Sequence, residues 1–166
     1  MRDKVKEILS NPESKQIVHE AFSGGCFNKC WTLIEKADRS PEDVEDMLLL
    51  AQASLWHWKQ RNDCTPMNLS VAYWQLSRVY ALAENYDQAR LFGNKCLKVS
   101  KDNKIPPFYV GYAYEAQARA EVLNKDFKAA GTCLEKAEKE LAEVTDKDEK
   151  GFLETDIAEL KKAIQD

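Results

Sequence analysis

Two arginines, Arg78 and Arg119, stand 41 residues apart, each set among aromatic and acidic side chains. Trp74 precedes the first by one helical turn, and Tyr112 and Glu115 precede the second. A guanidinium pairs bidentately with a carboxylate or phosphate, and a tryptophan face beside it adds stacking or cation–π contact. The chemistry open to this set is recognition of an anion or a peptide. A structural use, an arginine and glutamate stitch, is the favoured alternative. Glu115 lies four residues before Arg119, the favoured order for an intrahelical ion pair, and it can also bridge to Arg78 on a preceding helix.

His57, flanked by Trp56 and Trp58, is the one side chain suited to act as a general base, and His57 or Trp58 is placed at the edge of the same surface. Catalysis would need a group that orients the ring and a nucleophile within reach. With two histidines in the chain and neither a Ser/His/Asp set nor a glycine-rich phosphate loop, no enzyme is expected. Cys26 and Cys30 are at helical spacing, with His19, His57 and Cys64 as further donors. Structural zinc sites pair such a half with an equally tight second one, which this chain does not offer. Cysteine is often simply a small buried hydrophobe, so neither a metal nor a cofactor is expected. A small-ligand or metal site near His57 and the N-terminal cysteines is the alternative to peptide binding.

The elements that position these residues are helices. Asn11-Pro12, Ser40-Pro41 and Thr65-Pro66 each put an N-cap before a proline at the first helical position, where its missing N–H is harmless. Ser40 with Asp43 approximates a capping box, Pro106-Pro107 opens another helix, and Thr145 with Asp148 is expected to cap the last. The apolar spacing is helical throughout and predicts segments near 12–23, 26–37, 41–61, 66–83, 86–100, 107–124, 127–144 and 147–164, with a short leading turn or helix within residues 1–10. Gly24-Gly25 is expected to separate the first two segments, since two adjacent glycines forfeit roughly 2 kcal/mol of helix preference.

The chain also repeats itself. Ala72, Tyr73, Arg78, Leu82 and Ala89 recur as Ala113, Tyr114, Arg119, Leu123 and Ala130, five identities in eighteen ungapped positions, where chance gives roughly one. Each copy is a helix pair that cannot bury its apolar face alone and must stack on its neighbour.

Within a pair, Tyr73, Leu76, Ser77 and Tyr80 precede Tyr86, Ala89 and Cys96. This resembles the tetratricopeptide repeat, with large residue, leucine, small residue and aromatic on its first helix and alanines on its second. Tyr114, Ala118, Phe127, Ala130 and Ala137 fit the second copy, whereas Gln117 and Glu121 depart from it. Ser77 and Ala118 mark the close helix crossings. The segments Ala51-Gln-Ala-Ser-Leu-Trp-His-Trp58, Trp74-Gln-Leu-Ser-Arg-Val-Tyr80 and Ala113-Tyr-Glu-Ala-Gln-Ala-Arg-Ala120 are similar to those of a group of small, uncharacterised bacterial proteins of this type.

The resemblance implies an all-α fold: a single-domain, right-handed α-solenoid of antiparallel helix pairs over residues 1–166. Residues 1–65 form degenerate N-terminal helices, 66–100 and 107–144 the recognisable repeats, and 147–164 a polar capping helix. It also implies a concave groove lined by the first helix of each pair, placing Trp74, Arg78, Tyr112, Glu115 and Arg119 on one wall and assigning the protein to non-catalytic capture of a peptide or protein segment. Self-association through the same groove is a further possibility.

Charge and composition set the remaining bounds. The net charge is −4, and residues 134–166 carry eleven acids against six bases, so neither nucleic acid nor an anionic membrane is an expected partner. The charged start Met1-Arg2-Asp3-Lys4-Val5-Lys6-Glu7 is unlike a secretory signal, and the uncharged run from Met47 to Trp58 is too short for a membrane span. Five cysteines, an odd number, do not suggest a disulfide framework. A cytoplasmic location is the expectation.

Overall fold

The computed structural model describes residues 4–6 and 10–165, so most of the expected leading turn lies outside the described residues. Residues 4–6 and 10 are helical, and after them the described residues form seven helices: α1 (Pro12–Ile34), α2 (Pro41–Gln60), α3 (Pro66–Leu82), α4 (Tyr86–Asp102), α5 (Pro107–Leu123), α6 (Phe127–Glu143) and α7 (Lys147–Ala163). No strand occurs among the described residues, and the fold is all-α. No helix among them is long and apolar enough to cross a membrane.

The caps act as their residue types require. Asn11 accepts from the N–H groups of Glu13 and Ser14, and Ser40 forms a reciprocal capping box with Asp43. Thr65 forms a second box with Asn68, in which a shorter amide replaces the usual Glu or Gln. The last helix differs from expectation: Asp146, not Thr145, is its N-cap and accepts from the N–H groups of Asp148 and Glu149.

The expected break at Gly24-Gly25 does not exist, and α1 runs through both glycines as one helix of 23 residues. Tertiary pairing outweighs the propensity loss because α1 is fastened to α2 on both sides of the glycines. Gln16 bonds to the Gln60 carbonyl and the Asn62 N–H at one end, Ser54 Oγ donates to the Ser23 carbonyl at 2.7 Å, and Cys30 Sγ reaches the Met47 carbonyl at the other. The two segments expected over 12–37 are therefore a single helix, and α1 with α2 makes a full pair.

Contacts between α1 and α2 join residues whose numbers rise on one helix as they fall on the other, so the helices are antiparallel. The same holds for α3 and α4, where Ser70 meets Ser100 and Ser77 Oγ donates to the Ala89 carbonyl at 2.8 Å. In α5 and α6, Gly111 lies beside Glu140 and Gln117 beside Cys133. The small residues at Ser77 and Ala118 are buried at these crossings.

The pairs then stack asymmetrically. α1 touches α3, α3 touches α5 and α5 touches α7, whereas α2, α4 and α6 bring no Cα atoms within 8 Å of one another. The odd-numbered helices thus form one continuous face. The core lies between the layers, with Met47, Leu76 and Val79 under the first half and Leu134, Leu153 and Ile157 under the second.

Candidate functional site

The continuous face carries a groove of about 650 Å³ walled by aromatic rings. α1 contributes Phe27 and Trp31, α3 Trp74, α5 Phe108, Tyr109 and Tyr112, and α7 Phe152. The rings touch in sequence across the helices. Trp31 lies 5.5 Å from Trp74 between centroids, Trp74 is edge-on to Tyr112 at 5.2 Å, and Tyr112 is edge-on to Phe108 at 5.0 Å. Edge-to-face arrangement sets the positive ring edge of one residue against the negative face of the next, which fixes ring orientation as well as burying area.

Helical spacing creates this wall. Phe27 and Trp31 are an i, i+4 pair on α1, with Glu35 at its C-cap four residues further on, and Phe108 and Tyr112 are an i, i+4 pair on α5. Pro107 at the first helical position of α5 starts that helix immediately before its aromatic turn.

Behind the rings lies a polar network. Glu115 is completely buried, and one of its oxygens accepts from Trp74 Nε1 at 3.2 Å. The other accepts from Arg78 Nη1 at 3.2 Å and from Arg119 Nε at 2.7 Å. Asp156 on α7 accepts from Arg78 Nη1 at 3.2 Å and from the Tyr112 hydroxyl at 3.0 Å, while Glu159 accepts from Arg119 at 3.0 Å. Burial opposes the charge on Arg119, but Glu115 and Glu159 more than offset it and hold the guanidinium above its ordinary pKa. Burial, then the Asp156 carboxylate, push the Tyr112 phenol up, so it remains a donor.

The structure therefore gathers Trp74, Arg78, Tyr112, Glu115 and Arg119 into one network. Trp74, Arg78 and Tyr112 face the groove, whereas Glu115 and Arg119 lie outside its lining. Both arginines are bound by carboxylates of the chain itself, which is the ion-pair stitch weighed against anion recognition. On α7, Asp156 turns toward both arginines and lines the groove, and the exposed Glu159 pairs with Arg119.

His57 and Trp58 lie elsewhere, on α2. His57 Nδ1 is 2.9 Å from His19 Nδ1, and the pair is bordered by Phe22 and Trp56. Burial, then His19, push the His57 pKa down. Trp58 is half-buried against the first core cluster, with the Arg61 guanidinium 4.1 Å from its ring centroid. The five cysteines are free thiols, and burial raises Cys30 and Cys96 to about 12, well away from the reactive thiolate range. No cluster of three or more His, Cys, Asp or Glu suited to a metal occurs among the described residues.

Phe27, Trp31, Phe108, Tyr109, Phe152 and Asp156 were not expected at the site. The i, i+4 aromatics on α1 were a usable signal, since the segment expected over 26–37 already holds both Phe27 and Trp31. Asp156 carried none, because its partners lie on α3 and α5, far away in sequence. No family model, curated protein or solved structure matches this chain.

Proposed function

We propose that this protein is a non-catalytic binding module, a scaffold or adaptor that holds a peptide or protein segment in the aromatic groove of α1, α3, α5 and α7. In this reading the helix pairs form a right-handed, tetratricopeptide-like superhelix whose inner wall is the odd-numbered face. The observation that carries it is the solvent-open groove of about 650 Å³, walled by seven aromatic rings from four helices. Such apolar concavities with few polar groups are the usual form of a ligand site, and aromatic anchors dominate binding energy at interfaces.

The polar groups beside the groove support binding over catalysis. Glu115 and Asp156 are each held by two or more fixed donors, an arrangement that locks ring and helix positions instead of poising a proton for transfer. Trp74, Arg78 and Tyr112 contact the occupant, and Glu115 and Arg119 position them.

Selection of a random peptide-display library on the full chain tests this. Thr155 is exposed at the groove wall, so Thr155→Trp fills the groove without entering the core. Peptides enriched on the wild type are expected to lose binding to Thr155→Trp. Enrichment that ignores this substitution, or no enrichment at all, would remove the reading.

A further inference from the structure

We infer that the occupant of the groove is a basic peptide segment, which inserts an arginine or lysine side chain among the aromatic rings. This rests on the binding reading above and names its ligand class.

The charge around the groove is the first argument. Among the described residues the lining holds two carboxylates, Glu35 and Asp156, against one guanidinium, Arg78, and no lysine, while behind it Glu115 and Glu159 stand against Arg119. Arg78, the one cation in the wall among the described residues, is already shared between Glu115 and Asp156, each at 3.2 Å. An incoming anion would have to displace these carboxylates, one of them fully buried, and would meet their repulsion on the way in. The arginines thus select against the anionic ligand that their sequence pattern suggested.

A cation meets the opposite conditions. Ring faces carry negative quadrupole density and attract ammonium and guanidinium groups, most strongly when the site is partly dry. Glu35 supplies the terminal charge. It is exposed, it caps the C-terminus of α1 one turn beyond Trp31, and its carboxylate makes no ion pair with a described residue. Arg78 Nε and Arg119 Nη2 make no hydrogen bond but are sealed from solvent, and the carboxylates of Glu115, Asp156 and Glu159 are all paired within the chain, so Glu35 is the carboxylate left to bind an incoming charge.

A segment of chain fits better than a free organic cation. Phe152, at the α7 rim, is 64 % exposed and offers an apolar anchor to residues flanking the inserted one. A lone ammonium ion would leave that surface wet.

The same display selection decides the matter. Enriched peptides are expected to carry arginine or lysine at one fixed position. Replacing it by citrulline or norleucine should weaken binding by about tenfold or more, the loss of a desolvated cation–π and ion contact. Glu35→Gln, at an exposed site, should weaken the basic peptides by about three- to tenfold while leaving circular dichroism and melting unchanged. Enriched peptides that are neutral or acidic, or that bind equally well with the neutral replacement, would overturn this inference and leave the binding reading standing. If no peptide sensitive to Thr155→Trp is enriched, both fall. Quenching of groove tryptophans by tetramethylammonium in that case would identify the occupant as a free cation.

Discussion

Arg78 and Arg119 share a single oxygen, Oε1 of Glu115, at 3.2 and 2.7 Å. The two arginines occupy the same slot of successive repeats, and Glu115 occupies the slot of Trp74, whose indole N–H it also accepts. One buried carboxylate therefore registers α5 against α3 by contacting side chains from both copies. Asp156 extends the contact to α7, which is how the final helix comes to border the groove.

Removing Glu115 should be severe. Glu115→Ala removes the fully buried carboxylate that both guanidiniums share, leaving them to Asp156 and Glu159 at the more exposed side, and is expected to lower unfolding free energy by about 3 kcal/mol in urea titration. Adding Arg78→Met to that variant should recover part of the loss, because a largely buried guanidinium that has lost one of its two carboxylate partners goes with it. A change near zero for Glu115→Ala would mean that the network is not formed in solution.

The glycines separate cleanly into two kinds. A Cβ added at Gly24 or Gly25 meets nothing within 4 Å, so Gly24→Ala and Gly25→Ala should each stabilise the protein by about 1 kcal/mol, or about 2–4 °C in melting temperature. At Gly111 a Cβ would lie 2.5 Å from Leu153 Cδ2, itself fully buried. Gly111→Ala should destabilise by about 1–3 kcal/mol as α7 is pushed from α5. Thermal melts of the three variants check the contrast.

Three turns adopt left-handed backbone without glycine, at Glu84, Lys104 and Lys125, with φ of 55°, 51° and 58°. Glu84 and Lys125 are equivalent repeat positions. Each turn closes its helix with two successive N–H bonds back to the last turn: Glu84 donates to the Ala81 carbonyl and Asn85 to that of Tyr80, and Lys125 donates to the Val122 carbonyl and Asp126 to that of Glu121. Glu84→Gly and Lys125→Gly relieve a left-handed strain of about 1–2 kcal/mol against roughly 0.5–1 kcal/mol of added unfolded-state entropy. Each should raise the melting temperature slightly, and the same change at Ala83, which has φ of −86°, should lower it.

The histidine pair gives stability a defined dependence on pH. His57 titrates below its ordinary value in the folded chain, from burial and then from His19, so near its unfolded pKa of about 6.5 the unfolded state binds more protons. Its contribution is fully present above that pH and is lost as pH falls through it toward the folded pKa. Denaturation midpoints compared at about pH 8 and about pH 5.5 should fall on acidification, and His57→Gln should flatten this part of the profile. An unchanged slope would show that folding does not lower the His57 pKa.

The fold was legible wherever local chemistry decides it. Proline and cap pairs marked the starts of α1, α2 and α3, and the 41-residue repeat identified α3 through α6 as two equivalent pairs. The reading failed at Gly24-Gly25, because helix propensity is local whereas the bonds from Ser23 and Cys30 to α2 are not. At the site, Trp74, Arg78, Tyr112, Glu115 and Arg119 were found through the repeat itself. Trp31, Phe108 and Phe152 were missed because one wall assembled from α1, α5 and α7 leaves no common spacing in the sequence. Asp156 reverses the apparent preference of the arginines for anions, and it does so from 78 residues beyond Arg78.

The central claim is that ligand enters the groove of the odd-numbered face, and the four tryptophans report on it directly. Trp31 and Trp74 line the groove, while Trp56 and Trp58 lie on α2 away from it. Titration of 15N-labelled protein with a selected basic peptide should shift the indole N–H signals of Trp31 and Trp74 and leave those of Trp56 and Trp58 in place. Shifts confined to Trp56 and Trp58, or binding that moves none of the four, would contradict the account.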